Sequence, residues 1–233
     1  MIDIQIIGSS SKGNAYLVDD GHTPILLECG VNFRLIQKAT GFKTSSLAGC
    51  LITHEHKDHC ASIKDVLRAG IDCYMSPGTA ESIGIEHHRI KTVQSKKPFK
   101  LGSWTILPFD VQHDVSEPYG YLLANKNGDK LLFATDTYYI KYKFKGLTHI
   151  MVECNYSLEI LNENIESGRV PKIMKRRLLR SHFSLENVKD FLKANDLSNV
   201  KEIYLLHLSD NNSDEKKFKE EIQAITGKPV YIA

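Results

Sequence analysis

Four metal-capable side chains fall within six positions in Thr53-His54-Glu55-His56-Lys57-Asp58-His59, directly after the apolar run Cys50-Leu51-Ile52. A buried strand ending at Thr53 and a helix beginning near Asp58 would set His54 and His56 on one side of the connecting loop, with Asp58 and His59 on the first helical turn. One loop of this kind serves two ions: His54 and His56 ligate the first through imidazole nitrogen, Asp58 and His59 the second. Two divalent ions about 3.5–4 Å apart would make a strong nucleophile of water near neutral pH and neutralise the charge of an attacked phosphate, with Asp58 orienting the water.

Further residues of the same chemistry stand where apolar runs end. His113 follows the run 104–112, Asp136 follows Leu131-Leu132-Phe133-Ala134-Thr135, and His207 follows Ile203-Tyr204-Leu205-Leu206. Jointly these supply His54, His56 and His113 for one ion, Asp58, His59 and His207 for the other, and Asp136 as a bridge. His22, His87, His88 and His149 have no such setting and are read as non-functional.

The elements that must position these residues follow from periodicity. Strands are expected at 2–7, 14–19, 24–28, 50–53, 72–75, 104–111, 119–125, 130–135, 149–154, 201–207 and 229–232. Helices are expected near 31–39 and 58–69, from Pro77, and at 171–180, 184–194 and 213–225. Strands in two blocks with helices outside each predict an α/β (α+β) fold of two packed sheets flanked by helices. At 233 residues the chain suits one domain, 1–233, with no linker, repeat or low-complexity tract. No run approaches the ~18 apolar residues of a membrane span, and the chain opens on Ile2-Asp3-Ile4-Gln5-Ile6-Ile7 rather than on a leader pattern. A cytoplasmic, membrane-free protein is expected. Five scattered cysteines without a Cys-x-x-Cys pair predict reduced, mostly buried thiols, Cys60 among them as packing rather than ligand. A net charge of +2 names no partner by itself.

The metal loop with His113, Asp136 and His207 resembles the successive motifs of the metallo-β-lactamase superfamily, which implies an αβ/βα four-layer sandwich with a dinuclear site. A closer resemblance is carried by Gly8-Ser9-Ser10-Ser11-Lys12-Gly13-Asn14, Glu153-Cys154-Asn155, Lys175-Arg176-Arg177-Leu178-Leu179, Ser181-His182-Phe183-Ser184 and 203–209, which are similar to the YycJ/WalJ group. That group is regarded as 5′ to 3′ exonucleases, and the related RNase Z enzymes are phosphodiesterases with the same ligands. The resemblance implies a nuclease acting on phosphodiester bonds, DNA favoured over RNA, with two Zn²⁺ or Mn²⁺ ions. It also implies that His182 serves near the leaving group as general acid or phosphate clamp. Glu28 stands where many relatives carry Asp, and is expected to hydrogen-bond a ligating histidine; Tyr156 stands where the group tends to have His.

Alternatives are an RNase Z-like endoribonuclease, a glyoxalase-type thioester hydrolase, and a catalytically silent nucleic-acid-binding scaffold. Glyoxalase relatives usually have glycines after the metal loop, where this chain has Cys60-Ala61-Ser62, and a flavodiiron protein would carry an acid at His56. The turn from Ser9 to Asn14 can form an anion nest, giving Ser10, Ser11 and Asn14 as phosphate contacts. Between Arg169 and Arg180 six cations occur without an acid, and Lys172, Arg176 and Arg180 share a helical face by their spacing of four, a stripe suited to a nucleic-acid backbone.

Overall fold

Residues 2–233 are described by a computed structural model. Among them the strands pair into two mixed sheets. The chain divides into two compact units, one made of Met1–Asp110 and Val115–Asp129, the other of Val111–Asp114 and Lys130–Ala233.

In the first unit β1 (Asp3–Gly8), β2 (Ala15–Asp19) and β3 (Ile25–Leu27) form an antiparallel meander, and β4 (Cys50–Leu51), β5 (Cys73–Met75) and β6 (Ile90–Thr92) continue it in parallel. Helices α1 (Phe33–Ala39), α2 (Lys57–Cys60), α3 (Ile63–Arg68) and α4 (Pro77–Ile83) make the connections. Asn32 and Ser76 cap α1 and α4 through their side chains, and Pro77 takes the first turn of α4, where a missing N–H costs nothing. Ala15, Leu26, Cys29, Ile36, Cys50, Ile52, Val66, Cys73 and Met75 are among the buried residues of this core. Strands β7 (Phe99–Leu101), β8 (Trp104–Asp110) and β9 (Tyr119–Ala124) complete the unit as an antiparallel ribbon.

In the second unit β10 (Lys130–Ala134), β11 (His149–Glu153), β12 (Glu202–Leu206) and β13 (Val230–Ile232) are parallel. All five residues of β11 are buried, as expected of a strand covered on both faces. Helices α5 (Leu158–Glu166), α6 (Lys172–Ser181), α7 (Leu185–Lys193) and α8 (Glu215–Thr226) connect them, α5, α7 and α8 capped by Ser157, Ser184 and Asp214.

Four elements depart from the sequence expectation. The helix expected over 58–69 is broken into α2 and α3, because the neighbouring segment takes over its backbone bonds: Cys29 N–H donates to His59 O at 2.8 Å, and Ser62 N–H donates to Cys29 O at 2.9 Å. Strands β6 and β7 were not expected; each is three residues long, too short for alternation to register. Helix α5 was also unforeseen, its two asparagines masking a modest apolar stripe. No helix among the described residues is long and apolar enough to cross a membrane. All five cysteines are buried and unbridged, and burial pushes the Cys60 thiol up to about 12.

Candidate metal and catalytic site

In the first unit the metal loop begins where β4 runs out and α2 starts, His56 occupying the N-cap position. His54 is buried, and its Nδ1 lies 2.9 Å from Thr53 Oγ1, which leaves Nε2 pointing to His56 Nδ1 at 3.1 Å. Two ring nitrogens that close cannot both carry protons, so one presents the lone pair that a metal ion takes. The His54 and His59 rings sit 4.1 Å apart, and His59 Nε2 is 3.3 Å from Asp58 Oδ2. Three imidazoles and a carboxylate therefore crowd one short loop.

Behind the loop stands Glu28, which follows β3 and adopts a left-handed backbone with φ 64°. Its carboxylate is buried, accepts from Thr53 N–H at 3.2 Å and lies 3.7 Å from His59 Nδ1. Burial raises its pKa, and the neighbouring His59 and Thr53 oppose that rise only in part. The position behind His59 is the one expected of a residue supporting a ligand from its far ring nitrogen.

Asn14 requires a correction. The sequence marked it as a phosphate contact, yet it is fully buried and its amide lies 3.2 Å from Asp58 O, 3.4 Å from Asp58 Oδ2 and 3.3 Å from His59 Nε2. Asn14 grips the metal loop instead of facing solvent. The rest of the turn is also occupied with itself: Lys12 N–H donates to Ser10 Oγ, Gly13 N–H to Ser10 O, and Asn14 N–H to Asp58 O at 2.7 Å. Those three amides already have partners within the protein, and the hydroxyls of Ser10 and Ser11 are half-buried and exposed.

In the second unit the ligand-type atoms of Asp136, Glu153, His182 and His207 all lie within 4.8 Å of one another. Asp136 comes just after β10 and His207 just after β12, both with left-handed backbones, φ 43° and 53°. His207 Nε2 is 4.0 Å from Asp136 Oδ1, while its Nδ1 lies 3.1 Å from the Asn155 amide and 3.4 Å from Glu153 Oε1. His113 Nε2 is 3.9 Å from Asp136 Oδ2 and its Nδ1 is 2.9 Å from Ser181 O, so a backbone carbonyl fixes the far side of that ring. Burial lowers the His113 pKa against the pull of Asp136 and favours the neutral, metal-binding form.

His182 ends α6 as its C-cap, and its Nδ1 meets Glu153 Oε1 at 2.6 Å. The other oxygen, Oε2, accepts from Thr137 N–H and Phe183 N–H, each at 3.0 Å. One buried carboxylate thus holds His182 and the two backbone segments flanking it. Burial works against charge on His182, but the Glu153 carboxylate outweighs it, with Asp136 adding to the same side, and the pKa is raised. Glu153 itself is driven up by burial and pulled below its ordinary value by His182 and His207. Glu153 and Asn155 were visible in the sequence as parts of a family motif, but their partners lie 29 and 52 positions away, so no local signal gave them roles.

Helix α6 carries the basic stripe. Lys172, Arg176 and Arg180 are exposed on it, whereas Lys175 is half-buried and bonded to Asn162 Oδ1. The shallow surface between Lys172, Lys175, Arg176, Leu179 and Arg180 joins cationic heads to one apolar side chain. Tyr156 is buried and bridges to Ser184 in a short parallel pairing, which gives it a packing role.

The pattern of the beta-lactamase superfamily domain matches residues 23–207. Exodeoxyribonuclease YycJ of Bacillus anthracis is 28% identical over 92% of this chain and 85% of its own length. Exodeoxyribonuclease WalJ of Streptococcus pneumoniae is 28% identical over 89% of this chain and 82% of its own. Among solved structures, the metallo-β-lactamase fold protein YhfI of Bacillus subtilis is alike in fold, with a TM-score of 0.75 covering 100% of this chain and 95% of that one at 17% identity. The matched region takes in the whole metal loop, His113, Asp136 and His207, on two mixed β-sheets flanked by helices, and the chain belongs to the beta-lactamase superfamily, with the metallo-β-lactamase fold.

Proposed function

We propose that this protein is a metal-dependent phosphodiesterase that degrades DNA from a 5′ end. The observation that carries the reading is the Glu153–His182 pair: a partly exposed imidazole, outside the proposed ligand set, hydrogen-bonded at 2.6 Å to a buried carboxylate that raises its pKa, beside Asp136 and His207. The thiolate of a thioester makes smaller demands on a proton donor than the 3′ oxygen of a nucleotide does. The names of the 28% identical relatives support a DNA substrate.

The chemistry of the donors in the sequence suits two divalent ions, Zn²⁺ or Mn²⁺, with His54, His56 and His113 assigned to one, Asp58, His59 and His207 to the other, and Asp136 to both. Bound there, the ions would supply Lewis acidity to the phosphodiester and a nucleophile at neutral pH. The chain's own residues do the remainder. Glu153 holds the His182 Nδ1–H, so the Nε2–H is the proton that His182 hands to the departing 3′ oxygen. Asp58 orients the attacking water, and Asn14 and Glu28 keep the Asp58–His59 turn in place. The exposed stripe Lys172, Arg176 and Arg180 grips the phosphate backbone, and Ser10 and Ser11 contact the terminal phosphate.

The test is digestion of end-labelled single- and double-stranded DNA and RNA with Mn²⁺ or Zn²⁺ supplied. The expected products are 5′ mononucleotides from DNA, with a 5′-phosphorylated strand consumed faster than its 5′-hydroxyl twin. Cutting a circular single strand as fast as the linear one would replace the exonuclease by an endonuclease, and cleavage confined to RNA would replace the substrate.

A further inference from the structure

We infer that the second unit holds a nucleobase pocket beside the Glu153–His182 pair, which takes an unpaired base of the strand being degraded; the inference rests on the nucleic-acid reading above. A cavity of about 280 Å³ opens between the segment after Asp136 and helix α7. Its walls include Tyr139, Tyr142, Phe183 and Phe191, and its polar edge includes Asn187 and Asp190. That volume lies just below the usual range of ligand sites, roughly 300 Å³ upward, and suits one planar group rather than an extended molecule.

Aromatic faces accept any base by stacking, and amide and carboxylate groups at the rim can pair with base edges through exocyclic amines and ring N–H groups. No cation is among the lining residues, which argues against a phosphate in this cavity. Tyr139 is 55% exposed, a large aromatic face turned to solvent at the mouth. Asn187 is fixed by donating to Tyr138 O at 3.3 Å, tying the α7 wall to the loop wall.

The cavity is mechanically joined to the chemistry. Thr137, which leads into the tyrosine segment, and Phe183, which forms the inner wall, both donate their backbone N–H to Glu153 Oε2, the carboxylate whose other oxygen holds His182. A base stacked here would anchor its nucleotide against the residue proposed to protonate the leaving group. Only an unpaired base can enter, so the pocket selects single-stranded or frayed ends.

The probe is a single-stranded oligodeoxynucleotide with a phosphorothioate at each terminal linkage and 2-aminopurine at the first position, alongside a twin labelled at the last position. Stacking on tyrosine quenches the probe, and quenching at either end with the wild-type protein is expected. A strand whose base is removed at that position should bind about 5- to 150-fold more weakly. Tyr139→Ala removes an exposed face, and Ala194→Phe fills the cavity from α7; both should abolish the quench and bring the intact-to-abasic binding ratio close to one. Circular dichroism establishes that each variant is folded. Unchanged quenching in both folded variants, or equal wild-type affinity for intact and abasic strands, overturns the pocket. If an unmodified strand of the same sequence is still degraded in that case, the nuclease reading stands and the pocket alone falls; if the protected probe is quenched but the unmodified strand is never cut, the pocket stands and the nuclease reading falls.

Discussion

Replacing Gly30 by alanine tests the argument that packing in the first unit sets the metal loop. A Cβ at Gly30 would lie 1.7 Å from Asp58 O and 2.7 Å from His59 N, so the turn bearing both residues must retreat by about 1.7 Å to reach the 3.4 Å edge of ordinary contact. That shift breaks or stretches two backbone hydrogen bonds: Asn14 N–H to Asp58 O at 2.7 Å and Cys29 N–H to His59 O at 2.8 Å. At about 1 kcal/mol for each bond, with some further cost for overpacking, Gly30→Ala should destabilise by about 3–5 kcal/mol. Gly21→Ala is the comparison: nothing stands within 4 Å of its Cβ, and only its left-handed backbone, φ +86°, is penalised, by about 1–2 kcal/mol. The single tryptophan, Trp104, is buried in the same unit with Nε1–H donating to Thr23 O, so its fluorescence during guanidinium unfolding reports this unit. Metal content measured beside it should fall in the Gly30 variant and hold in the Gly21 variant. Equal losses of stability in the two variants, or a Gly30→Ala protein within 1 kcal/mol of wild type, would refute the reasoning.

Elemental analysis should find close to two transition-metal ions per wild-type chain at saturation and fewer in Asp136→Asn; a ceiling of one, unchanged by the substitution, removes the shared-ligand role. His182→Ala should lower turnover by ~10²–10⁴ without changing metal content, and full activity or lost metal would show that the residue acts otherwise. Alanine at Lys172, Arg176 and Arg180 together should weaken DNA binding for every sequence and reduce the salt slope by about 2–3, an effect that a merely structural helix would not produce. Asp20 accepts from Thr23 N–H, His22 N–H and Ser103 Oγ–H, and these bonds outweigh burial to hold its pKa below the ordinary value. Its contribution is therefore present above the unfolded-state pKa and lost as pH falls through the folded one. Asp20→Ala should cost about 1–3 kcal/mol near pH 7 and progressively less in acid; a cost independent of pH would contradict the assignment.

What the sequence made legible was local. The ligand types of the metal loop, the strands ending before His113, Asp136 and His207, and the helix opening at Pro77 all declare themselves within a few residues. What it hid was held across long separations. The break between α2 and α3 is made by Cys29, thirty positions before His59, and neither the propensity nor the pattern of 58–69 registers it. Asn14 reads as a turn residue until Asp58, 44 positions on, is brought against its amide. Glu153 looks like the end of a buried strand, and only the fold reveals that its two oxygens organise His182, Thr137 and Phe183 together.

The backbone strain in the two units falls into a pattern with a physical explanation. Among the described residues, five that are not glycine have positive φ: Glu28, Phe42, Lys96, Asp136 and His207. Phe42 and Lys96 are solvent-facing turn residues, but Glu28, Asp136 and His207 are buried and stand just beyond β3, β10 and β12. Glycine would relieve about 1–2 kcal/mol at each, and glycine has no carboxylate or imidazole. A left-handed residue after a strand turns its side chain out of the alternation the strand would impose, so a group that would otherwise continue into a sheet face can be directed past the strand's end. The same conformation recurring at three separate strand ends, each bearing a ligand-type or ligand-supporting group, ties the strain to the chemistry instead of to chain reversal. Stability is given up where side-chain direction matters, and the surrounding hydrogen bonds, from Thr53 to Glu28, from Thr135 to Asp136 and between Asn155 and His207, hold those directions fixed.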